Sequence, residues 1–152
     1  MRKLTIGLIV LVVLAGAGFA WYYLEGPCGI NPVRQAFDDL QTQTEKFSDA
    51  FKIAQSTPRI SLSGPISDLQ EIKRATDDVP VPACLEHAKE LLVGGMQTSI
   101  DGSIAFMGQA AETEVSSLFL DAAQQTATAT DELKTISECA PFCKADPYKL
   151  QP

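Results

Sequence analysis

The side chains with the most distinctive chemistry in this sequence are four thiols and one imidazole. They belong to Cys28, Cys84, His87, Cys139 and Cys143. Two disulfides are one use of the thiols, because a small exported domain readily forms them. A zinc site is the other use: three thiolates and one imidazole would come from Cys84, His87, Cys139 and Cys143. The sequence favours disulfides, and we expect no bound metal and no other cofactor.

No residue pattern indicates a catalytic centre. The sequence has no C-x-x-C pair, G-x-S-x-G elbow, H-E-x-x-H pair, phosphate-binding loop or calcium loop. Asp77 and Asp78 are adjacent, whereas acid-base catalysis by two carboxylates needs side chains that face each other. His87 stands among charged neighbours, which is typical of a solvated side chain. We therefore expect that the protein is not an enzyme.

Aromatic and sulphur-containing side chains suggest a binding pocket instead. Phe47 and Phe51 fall on one face of the first predicted helix, and Met96, Phe106 and Met107 belong to the third. A cavity between helices can hold an apolar or amphipathic small molecule, and methionine adapts its shape to such a ligand. The same spacing is typical of core residues. A ligand-binding or sensing domain is therefore the alternative interpretation.

The N-terminal residues determine the compartment. Arg2 and Lys3 precede an uncharged apolar run over 4–24. At about 1.5 Å per residue the run spans roughly 30 Å, the thickness of a hydrocarbon core. The basic residues predict a cytoplasmic N-terminus, a single-pass anchor and an extracytoplasmic remainder. The alternative is a signal peptide cleaved after Ala17 or Ala20, which would release the domain as a secreted or periplasmic protein.

The exported part of the chain is acidic. Of 12 Lys and Arg residues, two precede the apolar run, so 10 basic residues face 19 Asp and Glu residues, a formal charge of −9 with the histidine neutral. This charge opposes non-specific binding to nucleic acid and to anionic lipid. Removing 24 residues from 152 leaves 128, which is enough for one compact domain.

Apolar residues at alternating spacings of three and four predict four helices and no strands. We expect the first over 32–55, where Asn31 would be the cap, and a short second helix over 65–76. The third starts near Pro82 after an extended connector rich in proline, and the fourth covers 115–136. The expected fold is an all-α antiparallel four-helix bundle behind a transmembrane helix.

Glycines interrupt the apolar stripe of the third predicted helix at Gly94, Gly95 and Gly102. In a helix interior each costs about 1 kcal/mol relative to alanine. Close approach of a neighbouring helix is the favoured explanation, and local loosening for a ligand is the alternative. The fourth helix has a small, polar middle over 124–130, where we expect narrow packing and a weak stretch of core.

The predicted topology constrains the thiols. The chain divides into an anchor over 1–25, a bundle over 26–138 and a cysteine-containing tail over 139–152. In an up-and-down bundle the starts of the first and third helices and the end of the fourth share one end. All four cysteines fall there, and we favour the pairs Cys28–Cys84 and Cys139–Cys143. Crossed pairings remain open.

Four short segments carry a resemblance to a known group of proteins. They are STPRISL at 56–62, LQEIKR at 69–74, VPACL at 81–85 and IAFMG at 104–108. Over 28–135 the chain resembles membrane-anchored bacterial proteins that have a small exported helical domain and no assigned activity. The resemblance implies the fold and the location. We expect an interaction or scaffolding module, such as an accessory subunit of a membrane complex, with an unknown protein partner and oligomeric state.

Overall fold

The computed structural model of the chain describes residues 15–16, 18–26 and 28–139. After residue 29 it contains four α-helices: α1 Ile30–Ser56, α2 Ser63–Asp77, α3 Glu86–Met107 and α4 Glu112–Cys139. Short 3-10 turns at Arg59–Ser61 and Ala83–Leu85 lead into α2 and α3. No strand occurs in the described ranges. The prediction of an all-helical domain with a short second helix is confirmed.

The first helix begins earlier than its sequence signals predict. Gly29 is the residue before α1, so Asn31 lies inside the first turn instead of capping it. Its side-chain amide donates a hydrogen bond to the carboxylate of Glu25. The buried residues of α1 recur at helical spacing and form one stripe: Val33, Ala36, Leu40, Phe47 and Ala54. The predicted amphipathic character is confirmed, and the predicted cap is wrong.

The four helices pack in chain order. The most extensive contact joins α3 to α4, followed by α1 with α2 and α2 with α3. The largest fully buried side chains come from the first three helices and the turns between them: Leu40, Leu69, Leu85, Leu92, Ile100 and Thr76. By contrast, α1 and α4 contact each other over a short length. The bundle is therefore well packed on three sides and open on the fourth.

The connector between α2 and α3 is extended, as its prolines predict. Residues 80–82 have no helical structure, and Val79 is buried against the core. The ammonium group of Lys89 donates hydrogen bonds to the carbonyl oxygens of Asp77 and Val79. A cation at the C-terminus of a helix also interacts favourably with the helix dipole. Lys89 thus fixes the end of α2 to the start of α3.

Close packing explains two of the three glycines of α3. A Cβ atom built on Gly95 would lie 2.6 Å from the hydroxyl oxygen of Thr126 and 3.2 Å from the carbonyl oxygen of Ala122. A Cβ atom on Gly102 would lie 2.9 Å from the ring of Phe119. Real Cβ atoms essentially never have neighbours closer than 3.0 Å. The missing side chains let α4 approach α3, and the favoured explanation is confirmed for Gly95 and Gly102. At Gly94 the nearest atom to such a Cβ is the side-chain oxygen of Gln125, at 3.0 Å.

Candidate functional site

The side of the bundle between α1 and α4 is an open groove. This α1–α4 groove has a volume of about 900 Å³ and is lined by Thr44, Phe47, Ser48, Phe51, Gln55, Ser99, Phe119, Ala122, Ala123, Thr126, Ala127, Thr130, Asp131 and Lys134. All but one of these residues belong to α1 or α4. It exists because the two helices pack on α2 and α3 and only briefly on each other.

Small side chains of α4 keep the groove open. The residues that α4 contributes near its middle are alanines and threonines: Ala122, Ala123, Thr126, Ala127 and Thr130. Ala123 and Ala127 are exposed, and no bulky side chain of α4 fills the gap toward α1 there. The weak stretch of core expected from the sequence lies here.

Three aromatic rings form the apolar floor of the groove. The rings of Phe47 and Phe51 are 6.3 Å apart and nearly parallel, with an interplanar angle of 10°. Phe119 meets Phe51 edge to face at 5.7 Å between ring centroids and 64° between planes. Aromatic pairs in these arrangements stabilise each other beyond the effect of their buried area. The floor is therefore a fixed apolar surface that joins α1 to α4.

A smaller cavity adjoins the groove at the end of the bundle remote from residue 28. This distal cavity has a volume of about 180 Å³ and is lined by Phe51, Ala54, Gln55, Leu62, Ser103, Phe106 and Phe119. Phe51, Gln55 and Phe119 line both spaces. The guanidinium carbon of Arg59 lies 4.5 Å from the centroid of the Phe106 ring. A cation therefore stands beside a wall of the distal cavity.

The seam between α1 and α4 is also open at its opposite end. A third cavity of about 390 Å³ is lined by Ile30, Val33, Arg34, Phe37, Asp38 and Ser137. Only Ser137 of these residues belongs to α4. The separation of the two helices therefore extends over most of their length, from the start of α1 to its last turns.

The structure distributes the predicted pocket residues over different surroundings. Phe47 and Phe51 line the groove, and Phe51 and Phe106 line the distal cavity. Met96 is only 2% exposed and belongs to the core. Met107 is 37% exposed and does not line the groove or the distal cavity. The sequence places residues on one face of a helix but does not say which neighbour covers that face.

Several residues that line the groove and the distal cavity were not predicted from the sequence as site residues. Phe119 joins the groove and the distal cavity, and Gln55 and Ser103 supply the polar atoms of the distal cavity. The run of alanines and threonines in α4 was recognised as weak core. That composition was the available signal for an open groove, since small residues cannot fill the space that a longer side chain would occupy.

The predicted bond between Cys28 and Cys84 is confirmed. The two cysteines form a disulfide with 6.2 Å between their Cα atoms, and it joins the start of α1 to the turn before α3. Residue 143 and the side chain of Cys139 lie outside the described part of the chain, so the second pair stays a prediction. Because Cys84 is bonded to Cys28, it cannot serve as a zinc thiolate. In the described residues no group of three His, Cys, Asp or Glu side chains could hold a metal ion.

The histidine makes a specific contact between two helices. His87 Nδ1 lies 2.9 Å from Glu132 Oε2, which joins the start of α3 to the last turns of α4. The histidine side chain is half exposed, whereas that of Glu132 is largely covered. His87 is therefore not merely a solvated residue. Its contact supports the antiparallel arrangement in which the start of α3 and the end of α4 share one end.

The N-terminal helix prediction falls mostly outside the described residues. Residues 18–25 are helical, and within them Phe19, Trp21 and Tyr22 expose more than half of their surface. Residues 4–14 and 17 are not among those described. Over the part that is, no helix is long and apolar enough to cross a membrane.

Comparison with known proteins assigns no family. No protein-family model matches the chain. No curated protein and no solved structure matches it significantly either. The function is therefore inferred from the groove, the distal cavity and the charge of the chain.

Proposed function

We propose that the protein is a membrane-anchored, extracytoplasmic interaction module whose α1–α4 groove binds an amphipathic helix of a protein partner. The observation that carries the proposal is the open side of the bundle, where a long groove with an aromatic floor separates two helices. A helix laid into an apolar groove is a common mode of recognition. The helix of such a partner would pack between α1 and α4 and contact both of them.

The dimensions of the groove suit a helix. On α4 its lining residues extend from Phe119 to Lys134, and 15 steps of 1.5 Å correspond to about 23 Å, or four helical turns. Four turns present apolar side chains at positions i, i+3, i+4 and i+7 to one face. The floor has large aromatic rings and the wall of α4 has small alanines. The apolar side chains of a bound helix can pack into the spaces between these large and small residues.

Charge defines the polar face of the partner. The exported part has the formal charge of −9 derived above from 10 basic and 19 acidic residues. Attraction between opposite charges raises association rates and selects among partners. We therefore expect lysine or arginine residues on the solvent-facing side of the bound helix.

The membrane anchor remains part of the proposal. The uncharged run over 4–24 and the preceding basic residues support it, as do the exposed aromatic side chains of Trp21 and Tyr22, which suit a membrane interface. Retention would place the bundle beside other membrane proteins, and the accessory-subunit role follows from that position. The intact mass of the purified protein distinguishes retention from cleavage after Ala17 or Ala20.

A small apolar or amphipathic ligand is the second candidate. The distal cavity favours it, because seven residues from α1, α3, α4 and the segment before α2 enclose a space too small for a helix. This candidate occupies the cavity that adjoins the groove and shares Phe51, Gln55 and Phe119 with it. The absence of enzymatic activity stays a prediction.

Ala127→Trp tests the groove as the partner site. Ala127 is exposed and lines the groove, so an indole there should obstruct the groove without disturbing the core. We expect the amount of a specific partner that co-purifies with the full chain from native membranes to fall at least about tenfold. The measurement is quantitative mass spectrometry of the two preparations at equal expression.

Ala75→Trp is the matched control. Ala75 is also an exposed alanine, and it belongs to α2, which contributes no residue to the groove. Its replacement adds the same indole and should leave the co-purifying partner unchanged. Equal loss in both variants, or no loss in Ala127→Trp, would contradict the proposal.

A further inference from the structure

We infer that the distal cavity binds a small aromatic monocarboxylate, with the ring enclosed among phenylalanines and the carboxylate at Arg59. The cavity shares Phe51, Gln55 and Phe119 with the α1–α4 groove. Its test measures binding of a small probe and involves no protein partner, so this inference can fail separately from the proposed function. It assigns a ligand class to a space whose size, lining and adjacent charge each restrict what can bind.

The size of the cavity restricts the ligand to about one ring. Its volume is about 180 Å³. An engineered protein cavity of about 150 Å³ binds benzene, so a benzene-sized group with one short substituent fits here. A drug-sized ligand normally needs a pocket of about 300 Å³ or more. The partly open mouth leaves the substituent of the ring toward solvent.

The lining of the cavity favours an apolar aromatic ring over a polar group. Phe51, Phe106 and Phe119 contribute three rings, and Ala54 and Leu62 complete the apolar wall. Phe51 and Phe119 already meet edge to face, and a bound ring can add a further edge-to-face or offset contact. Polar atoms come from Gln55, whose side-chain amide can donate a hydrogen bond, and from Ser103. Ser103 already donates its hydroxyl proton to the carbonyl oxygen of Ser99.

The adjacent charge selects an anion. Arg59 places its guanidinium on the Phe106 ring, and the arginine side chain is exposed. Among the described residues it forms no ion pair. None of the seven residues that line the cavity, all of them described, is acidic. A guanidinium offers two parallel donors to one carboxylate, and stacking on an aromatic ring leaves those donors in the plane free to bind.

The net charge of the domain opposes the expected preference for a carboxylate over a neutral ligand. The net negative charge of the domain repels any anion at long range. A neutral alcohol of the same shape would escape that repulsion. If the carboxylate nevertheless binds more tightly than the alcohol, a local contact must outweigh the net charge, and Arg59 is the cation that stands beside the cavity.

Fluorine NMR of the full chain in lipid nanodiscs tests the site, with empty nanodiscs as the blank. The probes are 4-fluorophenylacetate and its neutral counterpart 2-(4-fluorophenyl)ethanol. We expect saturable binding of the carboxylate, tighter than that of the alcohol. Arg59→Gln should weaken carboxylate binding about tenfold and bring it level with the alcohol, because it removes a charge-assisted hydrogen bond. Arg74→Gln removes an exposed arginine on α2 and should leave binding unchanged.

A second variant tests the enclosed ring. Ser103→Leu places a larger side chain into the cavity and should abolish binding of both probes. Because Ser103 is buried, circular dichroism must first show that the Ser103→Leu variant is folded. If that variant does not fold, the test depends on Arg59→Gln, which changes an exposed residue. Absence of saturable binding, equal affinity for acid and alcohol, or carboxylate binding that survives Arg59→Gln would overturn the inference.

Discussion

Replacing Cys28 and Cys84 by serine should lower the free energy of unfolding by about 4 kcal/mol. The bond joins residues 56 positions apart, and it fixes the start of α1 to the turn before α3. A cross-link that closes so long a loop restricts the unfolded chain strongly, and chain-entropy reasoning gives the stated magnitude. Such a loss is a large part of the stability of a domain this size.

Denaturant unfolding of the full chain in mild detergent, followed by circular dichroism, measures this effect. The two single variants, Cys28→Ser and Cys84→Ser, provide the control. Because either one removes the bond, each should lose as much as the double variant, and the losses should not add. Additive losses, or a loss in the double variant below about 1 kcal/mol, would mean that the bond contributes little.

Neighbouring glycines of α3 should respond in opposite directions to alanine. Gly95→Ala should destabilise the protein by about 1–3 kcal/mol, because the new Cβ atom meets the hydroxyl of Thr126 and the backbone of α4. Gly94→Ala should stabilise it by about 0.5–1 kcal/mol through helix propensity. The nearest atom to a Cβ there is the side-chain oxygen of Gln125, the mobile end of a flexible side chain.

The pair forms its own matched control, since the same substitution is made one position apart in the same helix. The measurement is the free energy of unfolding of both variants and the parent protein under identical conditions. Destabilisation by Gly94→Ala equal to that by Gly95→Ala would show that helix approach is not what requires glycine at position 95. Stabilisation by both would show that α4 can move away from α3 at little cost.

The sequence predicted the helices well because periodic burial is a local signal. The stripe of α1, the short α2 and the extended proline connector all follow from the spacing of apolar residues and from prolines that cannot continue a helix. The disulfide between Cys28 and Cys84 followed from a second step, in which alternating helix directions bring two helix starts together. Neither the helix spacing nor the alternation of helix directions depends on how the side chains pack.

The groove could not be predicted because it depends on which helices contact each other. Periodicity assigns Met96 and Met107 to the same helix. It does not show that Met96 is buried in the core whereas Met107 is exposed to solvent. It equally cannot show that α1 and α4 remain apart while α3 and α4 pack closely at Gly95. The start of α1 was predicted at residue 32, whereas the helix begins at Ile30. The side chain of Asn31 does not cap the helix but donates a hydrogen bond to Glu25, which precedes it.

Site-specific photocrosslinking can show whether a partner helix occupies the α1–α4 groove. A photoreactive phenylalanine analogue at position 127 of the full chain, in the cells that express it, should yield one discrete protein adduct. The same analogue at position 75 on α2 should yield none. Positions 123 and 130 are two helical turns apart on α4, so their adducts should map to partner residues about seven apart in an amphipathic segment with basic residues on its other face. Adducts from position 75 as abundant as those from 127, or adducts from 127 to lipid alone, would contradict the account.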